Sequence, residues 1–250
     1  MKLTSLVRAA GIARSMLMYY GQPWREGRRR EFYGQFIREG SLCFDVGAHL
    51  GDRIRTWRHL GARVVAIEPQ PACLSVLRKL YGNDSHVTLL PHAIGAKPGT
   101  ATLHVSEATP TVSSLSADWI RDVQADPRFA AHRWDGRIDV KVETLDQLIQ
   151  RHGLPDFVKV DVEGYELDVL EGLSAPVPAL SFEYIAAVVE RTVSCVERLG
   201  QLGAYEFRTS SVETTRWTQA RWLSAAEVTE WLRELPLMSR SGDVYARLRP

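Results

Sequence analysis

Cysteine is scarce in this sequence. The three cysteines, Cys43, Cys73 and Cys195, are odd in number and widely spaced, and they form no CxxC pair. This pattern argues against a disulfide framework and against a zinc knuckle, and it is typical of buried, unreactive thiols in a reducing compartment. We therefore expect a cytoplasmic protein.

An excess of charge of either sign is also missing. The 250 residues include 31 basic and 30 acidic ones, which gives a formal net charge of +1. Because proteins that bind nucleic acid usually carry a strong basic bias, we expect no nucleic-acid partner. Hydrophobic residues make up 45% of the chain, a proportion typical of a globular protein with a sizeable core.

Long hydrophobic runs are absent from the N-terminus. Arg8 and Arg14 interrupt the stretch "MKLTSLVRAAGIARSMLMYYG", so we expect neither a signal-peptide core nor a transmembrane segment there. Its apolar residues recur at helical spacing, which predicts an amphipathic helix that packs against the domain or over its active-site mouth. Peripheral contact with a membrane is the alternative.

A short basic run follows in "WREGRRREF", which contains Arg25, Arg28, Arg29 and Arg30. Runs of this length are more often a solvated helix face than a ligand site. Repeats, low-complexity tracts and flexible linkers are lacking, so we expect an N-terminal helical extension at residues 1–40 and one domain at residues 41–250. The polar stretch near residues 106–138 is typical of a lid-like insertion.

Apolar runs and helical patterns alternate from residue 42 onward. Buried strands are predicted for "LCFDVG" and "DFVKVDVEG", and further strands for "ARVVAIEP", "ALSFEY" and "HVTLLPHAIG", the last interrupted by Pro91 near its end. An edge strand is predicted for "GTATLHVSE", and two closing strands for "AYEFRTS" and "DVYARLRP". Thr144 is the expected cap of one helix, and another is predicted from about Ala186 to Leu202. This order indicates an α/β fold with a mostly parallel sheet and helices on both faces.

The loop after the first strand lacks a glycine that a dinucleotide site would need. It reads D-x-G-x-x-x-G from Asp45 to Gly51, whereas a pyrophosphate is held by G-x-G-x-x-G. An acid at this position suits an ammonium group, and Glu68, at the end of the second strand, can accept hydrogen bonds from both hydroxyls of a ribose. A ligand with both groups predicts S-adenosylmethionine as the cofactor, with the glycines allowing its close approach.

Several segments together carry a resemblance to a known family. With "FDVGAHLGDR", "AIEPQP", "HAIG", "TVSSLS", "ETLDQL" and above all "VKVDVEGYELDVLEGL", the chain resembles FkbM-type methyltransferases from about Tyr33 to Tyr184. It departs from many relatives at "GDRIRTW", where they have a Tyr-Thr pair. The resemblance implies a class I, Rossmann-like sheet of seven strands with the last one antiparallel. It also implies S-adenosylmethionine-dependent methylation, mostly of oxygen, on small molecules or sugars.

The loop, the acid and the resemblance together predict the cofactor site. Its expected members are Asp45, Gly47, Ala48, His49, Gly51, Glu68, Pro69, Gln70, His92, Ala93 and Asp161. His92 is expected to border the adenine, and a surface histidine with satisfied hydrogen bonds is the alternative.

Three acids near two strand ends are the candidate catalytic residues. Asp161 and Glu163 lie two apart, so on a strand they would share one face, and Glu183 ends another strand. A carboxylate can position an acceptor hydroxyl or accept its proton. Alternatively, Glu163 caps the following helix, and Asp161 binds the amino group of the cofactor. Asp161 and Glu183 could also hold Mg²⁺, but the spacing does not require a metal and none is predicted.

The sequence indicates the methyl acceptor only in outline. Ser113, Ser114 and the loop through Trp134 are expected to cover the pocket, with aromatic residues that either stack on a sugar ring or pack in the core. We expect O-methylation of a hydroxyl on a small molecule, sugar or glycan. The alternatives are a non-catalytic protein that binds the cofactor and an N-methyltransferase of a small amine. The oligomeric state is left open.

Overall fold

The chain is described by a computed structural model. It covers the backbone of residues 2–6 and both backbone and side chains of residues 7–22, 24–211 and 214–249. The strands are β1 Leu42–Val46, β2 Arg63–Ile67, β3 Val87–Leu90, β4 Ala93–Ile94, β5 Gly99–Val105, β6 Gly136–Glu143, β7 Phe157–Val160, β8 Ala179–Tyr184, β9 Tyr205–Ser211 and β10 Gly242–Leu248. The α-helices are α1 Lys2–Tyr20, α2 Arg25–Tyr33, α3 Asp52–His59, α4 Pro71–Tyr81, α5 Ala117–Gln124, α6 Leu145–His152, α7 Glu166–Glu171, α8 Val189–Leu202 and α9 Ala225–Arg233.

Seven strands form the main sheet, in the order β3-β2-β1-β7-β8-β10-β9. The pairs from β3 to β8 are parallel, whereas β10 runs antiparallel to both β8 and β9. The predicted class I methyltransferase sheet, with its last strand antiparallel, is therefore confirmed. The carboxyl ends of β1, β2, β7 and β8 meet at one edge, where ligands bind in sheets of this kind.

Helices cover both faces of this sheet, as predicted. Phe44 and Val46 of β1 join one apolar cluster with side chains of α6, α7, α8 and α9. Cys43 of the same strand joins a second cluster with Phe32 of α2 and Trp57 of α3. Because side chains alternate along a strand, Asp45 lies on the same face as Cys43. We call this the α2 face.

A small second sheet and the start of α8 each correct one expectation. "HVTLLPHAIG" is not one strand, because β3 ends at Leu90 and β4 begins at Ala93 in a separate sheet with the order β4-β6-β5. Pro91 lies at the break, where its missing N–H removes a ladder hydrogen bond. The edge position of β5 is as expected. Thr144 caps α6 in a capping box, and the helix predicted from Ala186 starts at Val189, after a 3₁₀ turn at Ala186–Val188.

The insertion between β5 and β6 packs against the carboxyl edge of the main sheet. It contains a 3₁₀ turn at Pro110–Val112 and helix α5. Trp119 of α5 is buried and touches Gly164 after β7, and the Trp134 indole donates to the carbonyl of Val112 over 2.7 Å. These two tryptophans therefore serve packing. Whether the segment acts as a lid stays a prediction.

The N-terminal helices pack on the rest of the chain. In α1, Arg8 pairs with Glu107 of the insertion, and the Tyr20 hydroxyl donates to the carbonyl of Leu50 over 2.8 Å. The predicted amphipathic helix therefore packs against the domain and, through Tyr20, against the turn that follows β1. In the part of the chain that the structure describes, no helix is both long enough and apolar enough to cross a membrane.

Two expectations about single side chains can be compared with the structure. Cys43, Cys73 and Cys195 are all free and buried, as predicted. The basic run is not uniformly solvated, however, because Arg29 is buried and pairs with Asp52 at the start of α3, while Arg25, Arg28 and Arg30 are exposed. The solvated-face prediction is therefore wrong for Arg29.

Candidate active site

The turn after β1 needs its glycines for reasons that lie within the protein. Gly47 has a φ of +84°, and a Cβ there would collide with the carbonyl oxygen of Asp161. Gly51 has a φ of +82°, and a Cβ there would lie 2.6 Å from the ring of Tyr81. A side chain at either position would therefore be strained as well as crowded. Close packing of the turn against β7 and α4 thus explains both residues before any ligand is considered.

A cavity of about 530 Å³ opens beside this turn, at the carboxyl ends of β1 and β2. We call it the first cavity. It brings together nine of the predicted site residues, which are Gly47, His49, Glu68, Pro69, Gln70, His92, Ala93, Asp161 and Glu163. Pro110, Thr111, Ser113 and Leu115 of the insertion close its other side. The expectation that this segment covers the pocket agrees with that lining.

Glu68 is the most firmly held acid of the first cavity. One oxygen accepts the backbone N–H of His49 and the other accepts that of Gln70, each over 2.8 Å. Burial raises the pKa of Glu68 to about 7, although these two N–H groups favour the ionised form. Each carboxylate oxygen keeps a further lone pair, so the group can still accept from a ligand's hydroxyls.

A second cavity, of about 320 Å³, lies on the α2 face next to the first. Its lining residues are Tyr19, Asp45, Gly47, Ala48, His49, Asp52, Arg53, Lys159 and Asp161. Three of them, Gly47, His49 and Asp161, line both cavities. The predicted cofactor residues Asp45 and Ala48 lie here, whereas Gly51 lines neither cavity.

Asp45 and Lys159 dominate the charge of the second cavity. Asp45 is almost fully buried, and its Oδ2 has no hydrogen-bond partner among the described residues. Burial raises the pKa of Asp45 to about 6, against the attraction of Lys159 and Arg53. Burial also opposes the charge of Lys159, but the negative charges of Asp161 and Asp243 outweigh it and raise the pKa of the ammonium group. Lys159 donates to Asp161.

These observations fit S-adenosylmethionine. A buried carboxylate oxygen without a partner would be satisfied by an ammonium group, and Asp45 offers one. Glu68 offers a pre-oriented carboxylate at the end of the neighbouring strand, where a ribose would be held. Both acids were predicted, but Lys159 was given no role, although a lysine inside an apolar strand was a visible signal.

The three acids predicted to be catalytic lie together. Carboxylate oxygens of Asp161, Glu163 and Glu183 are within 4.8 Å of one another. The strand-alternation argument for this is wrong, however, because β7 ends at Val160 and Glu163 has a left-handed φ of +53°. The turn, and not the pleat of a strand, directs Glu163 towards Asp161.

Glu163 does not cap the next helix. Among the described residues no side chain caps α7, and Oε1 of Glu166, its first residue, accepts the backbone N–H groups of Val162 and Gly164 in the preceding turn. Burial, together with the negative charges of Asp161 and Glu166, raises the pKa of Glu163. Burial, with the charges of Glu163 and Asp161, does the same for Glu183.

Two chemical roles are open to such a cluster. Three crowded carboxylates can accept a proton from a ligand, and their oxygens are also close enough together to hold one hard cation such as Mg²⁺. His92 lies apart from them in the first cavity, with its Nδ1 3.1 Å from Glu143. It is partly exposed and lies beside Glu143, and its contact with the adenine stays a prediction.

Hydrogen bonds join the insertion to two sides of the first cavity. The Ser114 hydroxyl donates to the carbonyl of Glu163 over 2.6 Å, and the Ser113 hydroxyl donates to the side chain of Gln70 over 3.2 Å. The predicted covering role of these two serines is thus realised as bonds to the turn after β7 and to the end of β2. They fix the roof of the first cavity.

Comparison with known proteins gives a family and several similar folds. The family model described as "Methyltransferase FkbM domain" matches residues 45–234. Methyltransferase sdnD of Sordaria araneosa is 30% identical over an alignment of 152 residues. The match covers 52% of this chain and 59% of that protein. The match thus spans little more than half of that relative's length.

Two solved structures illustrate the fold matches. The precorrin-6y C5,15-methyltransferase of Geobacter metallireducens GS-15 aligns with a TM-score of 0.48 and 11% identity, over 88% of this chain and 86% of that one. Fibrillarin of Aeropyrum pernix, in complex with natively bound S-adenosyl-L-methionine, aligns with a TM-score of 0.44 and 10% identity, over 84% of this chain and 68% of that one.

Proposed function

The chain belongs to the FkbM methyltransferase family, whose cofactor is S-adenosylmethionine, and on that premise we propose that it methylates a hydroxyl group of a small molecule, sugar or glycan. The proposal assigns the cofactor to the two cavities beside β1 and the acceptor to the carboxylates after β7 and β8. Asp45 would hold the ammonium group of the cofactor and Glu68 its ribose.

The crowding of Asp161, Glu163 and Glu183 is the observation that carries this proposal. Their oxygens lie within 4.8 Å of one another, and Asp161 and Glu163 also line the first cavity. Each ionised carboxylate disfavours ionisation of its neighbours, so the cluster has a raised affinity for a proton. A group of this kind can orient a hydroxyl and take up its proton as the oxygen attacks.

The reaction divides the work between the cofactor and the chain. When bound, S-adenosylmethionine supplies a methyl group on a positively charged sulfur atom. Glu163 or Glu183 would hold the acceptor oxygen in line, about 3 Å from the reacting carbon, and accept its proton. Asp161, which accepts from Lys159, would keep a negative charge between the two cavities, and the insertion would exclude water.

The cysteines and the net charge support a proposal for the cellular location and for the kind of acceptor. Three free, buried cysteines support the cytoplasmic location that we propose. The near-zero net charge of +1 supports a small-molecule or glycan acceptor over nucleic acid.

The test is a methyl-transfer assay with labelled S-adenosylmethionine on a panel of hydroxyl-bearing acceptors. We expect Glu163→Gln and Glu183→Gln to lower kcat by roughly 10²–10⁴, with S-adenosylhomocysteine affinity within about twofold of wild type. Glu171→Gln, an exposed acid outside the cluster, is the matched control and should keep wild-type turnover.

Three results separate the alternatives. Near-wild-type kcat in both cluster variants would remove these acids from the chemistry. A product methylated on nitrogen would replace the hydroxyl by an amine as acceptor. Activity that disappears with EDTA and returns with Mg²⁺ would assign the carboxylates to a cation and not to the proton.

A further inference from the structure

A cavity of about 740 Å³ outside the site described above is lined almost wholly by arginine. Its lining residues are Arg25, Arg28, Arg29, Thr214, Thr215, Arg216 and Arg240. We call it the arginine cavity. In a chain with 31 basic and 30 acidic residues, five arginines without an acid in the same lining are a local separation of charge and not a reflection of overall basicity. Such a concentration creates a strong positive potential.

Two parts of the sequence build the arginine cavity. Arg25, Arg28 and Arg29 are spaced at i, i+3 and i+4, so they lie on one side of α2. Arg216 and Arg240 come from the segments that follow β9 and precede β10. In the parts of the chain that the structure describes, the ion pairs include none for Arg25, Arg28, Arg216 or Arg240.

Arg29 connects this cavity to the cofactor region. It is buried, lines the arginine cavity and pairs with Asp52. Asp52 in turn lines the second cavity, together with Asp45 and Lys159. One ion pair is therefore shared by the walls of the two cavities.

Strand register puts the arginine cavity near the carboxylates. Gly242, two residues after Arg240, pairs with Tyr184 of β8 and with Ser211 of β9. The next residue, Asp243, pairs with Glu183. The segments that carry Arg216 and Arg240 therefore lie at the same edge of the sheet as Glu183, and β9 is two strands from β8, roughly 10 Å away.

We propose that the arginine cavity binds phosphate groups of the methyl acceptor, so that the acceptor is a phosphorylated molecule. This inference rests on the function proposed above. Phosphate suits the site better than a carboxylate does, because several guanidinium groups can each donate two parallel hydrogen bonds to phosphate oxygens, whereas a lone carboxylate has only two oxygens. The arginines would also offset the repulsion that Asp161, Glu163 and Glu183 exert on an anionic acceptor.

The phosphate could belong to a soluble molecule or to a lipid-linked one. Exposed apolar side chains flank the arginines in sequence. Trp24, at 74% exposure, precedes Arg25, and Leu237 and Met238, at 72% and 67%, lie shortly before Arg240. Apolar residues beside basic ones also suit the surface of an anionic membrane. The experiment therefore has one arm for each source.

The first measurement titrates the protein with inorganic pyrophosphate at low ionic strength, with and without S-adenosylhomocysteine. We expect wild type to bind pyrophosphate and Arg28→Gln/Arg240→Gln to bind it at least about tenfold more weakly. The matched control is Arg30→Gln/Arg78→Gln, which removes the same charge from exposed arginines outside the cavity lining. It should bind within about twofold of wild type.

The second measurement identifies the source of the phosphate. Vesicles of phosphatidylcholine with and without phosphatidic acid are mixed with the same proteins and separated by flotation. Arginine-dependent binding to the acidic vesicles that pyrophosphate displaces assigns the phosphate to a lipid. Binding of pyrophosphate without vesicle binding assigns it to a soluble acceptor.

Failure of this inference can be distinguished from failure of the proposed function. If S-adenosylhomocysteine binds and Glu163→Gln lowers turnover, but pyrophosphate does not bind or the two double variants lose it equally, only the arginine cavity proposal is overturned. It is also overturned if a phosphorylated acceptor has the same KM in both double variants. A phosphorylated acceptor whose KM rises about tenfold only in Arg28→Gln/Arg240→Gln supports it.

Discussion

The two ends of the site hold their carboxylates in different ways. At the cofactor end, around β1 and β2, Glu68 accepts hydrogen bonds from two backbone N–H groups. At the acceptor end, around β7 and β8, the side chains of Glu163 and Glu183 have no hydrogen-bond donor among the described residues, and their pKa values are raised by burial and by neighbouring acids. Glu68 is therefore held in place without a ligand, whereas Glu163 and Glu183, like Oδ2 of Asp45 at the cofactor end, lack a hydrogen-bond donor among the described residues.

This difference fits the division of labour between the two ends. Groups that are already fixed in the right orientation lose little conformational entropy when a ligand binds. Such groups suit a cofactor that is the same in every turnover. A cluster of acids that lacks donors gains most from the ligand that supplies a hydroxyl or a cation. Glu68 is thus oriented before binding, whereas Asp45 and the carboxylates of the acceptor end gain their partners from the ligands.

Gly47→Ala should have the largest effect, because this residue lies where the two ends touch. Its φ is +84°, and the new Cβ would collide with the carbonyl oxygen of Asp161. We expect the free energy of unfolding to fall by roughly 2–4 kcal/mol and S-adenosylhomocysteine binding to be lost. Thermal unfolding and calorimetric titration measure both.

The control for this variant is Gly200→Ala. Gly200 lies inside α8, and a Cβ there meets nothing within 4 Å. Alanine should stabilise the helix by about 0.5–1 kcal/mol. Wild-type stability and cofactor affinity in Gly47→Ala would show that the two ends are not in rigid contact.

Glu68→Ala tests the cofactor end alone. Loss of charge-assisted bonds to two ribose hydroxyls should weaken S-adenosylhomocysteine binding by about 1.5–3 kcal/mol, roughly 10- to 150-fold. Glu183→Gln, the matching change at the acceptor end, should leave this affinity within about twofold. Equal losses in the two variants would remove the distinction between the ends.

The sequence predicts the frame of the molecule well. Strand and helix order and the positions of Asp45 and Glu68 follow from local patterns, because each depends on hydrophobic period and on where a strand ends. The antiparallel last strand was implied only by the resemblance to the family. The alternative that Glu163 caps α7 is wrong, since its left-handed φ of +53° turns the chain in a way that no spacing rule encodes.

The arginine cavity shows why other features were missed. Arg28 and Arg240 are 212 positions apart in the sequence, and nothing local to either residue indicates that they line one cavity. Arg29 was assigned to a solvated face because its partner, Asp52, lies on another helix. Long-range pairing of charges depends on the tertiary fold, so the pattern of one segment cannot reveal it.

Cofactor affinity should depend on pH through the acids of the cofactor end. Burial raises the pKa of Glu68 to about 7, and the ionised form is the better acceptor for ribose hydroxyls. Between pH 8 and pH 6 we expect the affinity for S-adenosylhomocysteine to fall by up to about tenfold. Asp45, with a pKa of about 6, should add a second loss at lower pH. Calorimetric titration from pH 5.5 to 8.5 measures both.

Glu68→Gln provides the control for the pH profile and has a consequence for stability. It should abolish the upper step and leave the lower one. A carboxyl whose pKa is higher in the folded chain than in the unfolded chain favours folding at low pH, and that contribution disappears as the pH rises through about 7. In the variant without cofactor, this pH dependence of stability should therefore disappear. A flat binding profile in wild type would contradict the raised pKa of Glu68.

Arg8→Gln should have the smallest effect on cofactor affinity. It tests whether the ion pair of α1 contributes to cofactor binding. Arg8 pairs with Glu107 of the insertion, but its side chain is 43% exposed, and exposed pairs contribute at most about 1 kcal/mol. Tyr19 and Tyr20 anchor the same helix, since Tyr19 packs edge-on against the His49 ring and the Tyr20 hydroxyl donates to Leu50. We therefore expect a loss of less than about threefold in S-adenosylhomocysteine affinity, which 0.5 M salt should reproduce in wild type because salt screens the same pair. A loss above tenfold would mean that this one ion pair, and not the tyrosines, keeps α1 over the cofactor cavities.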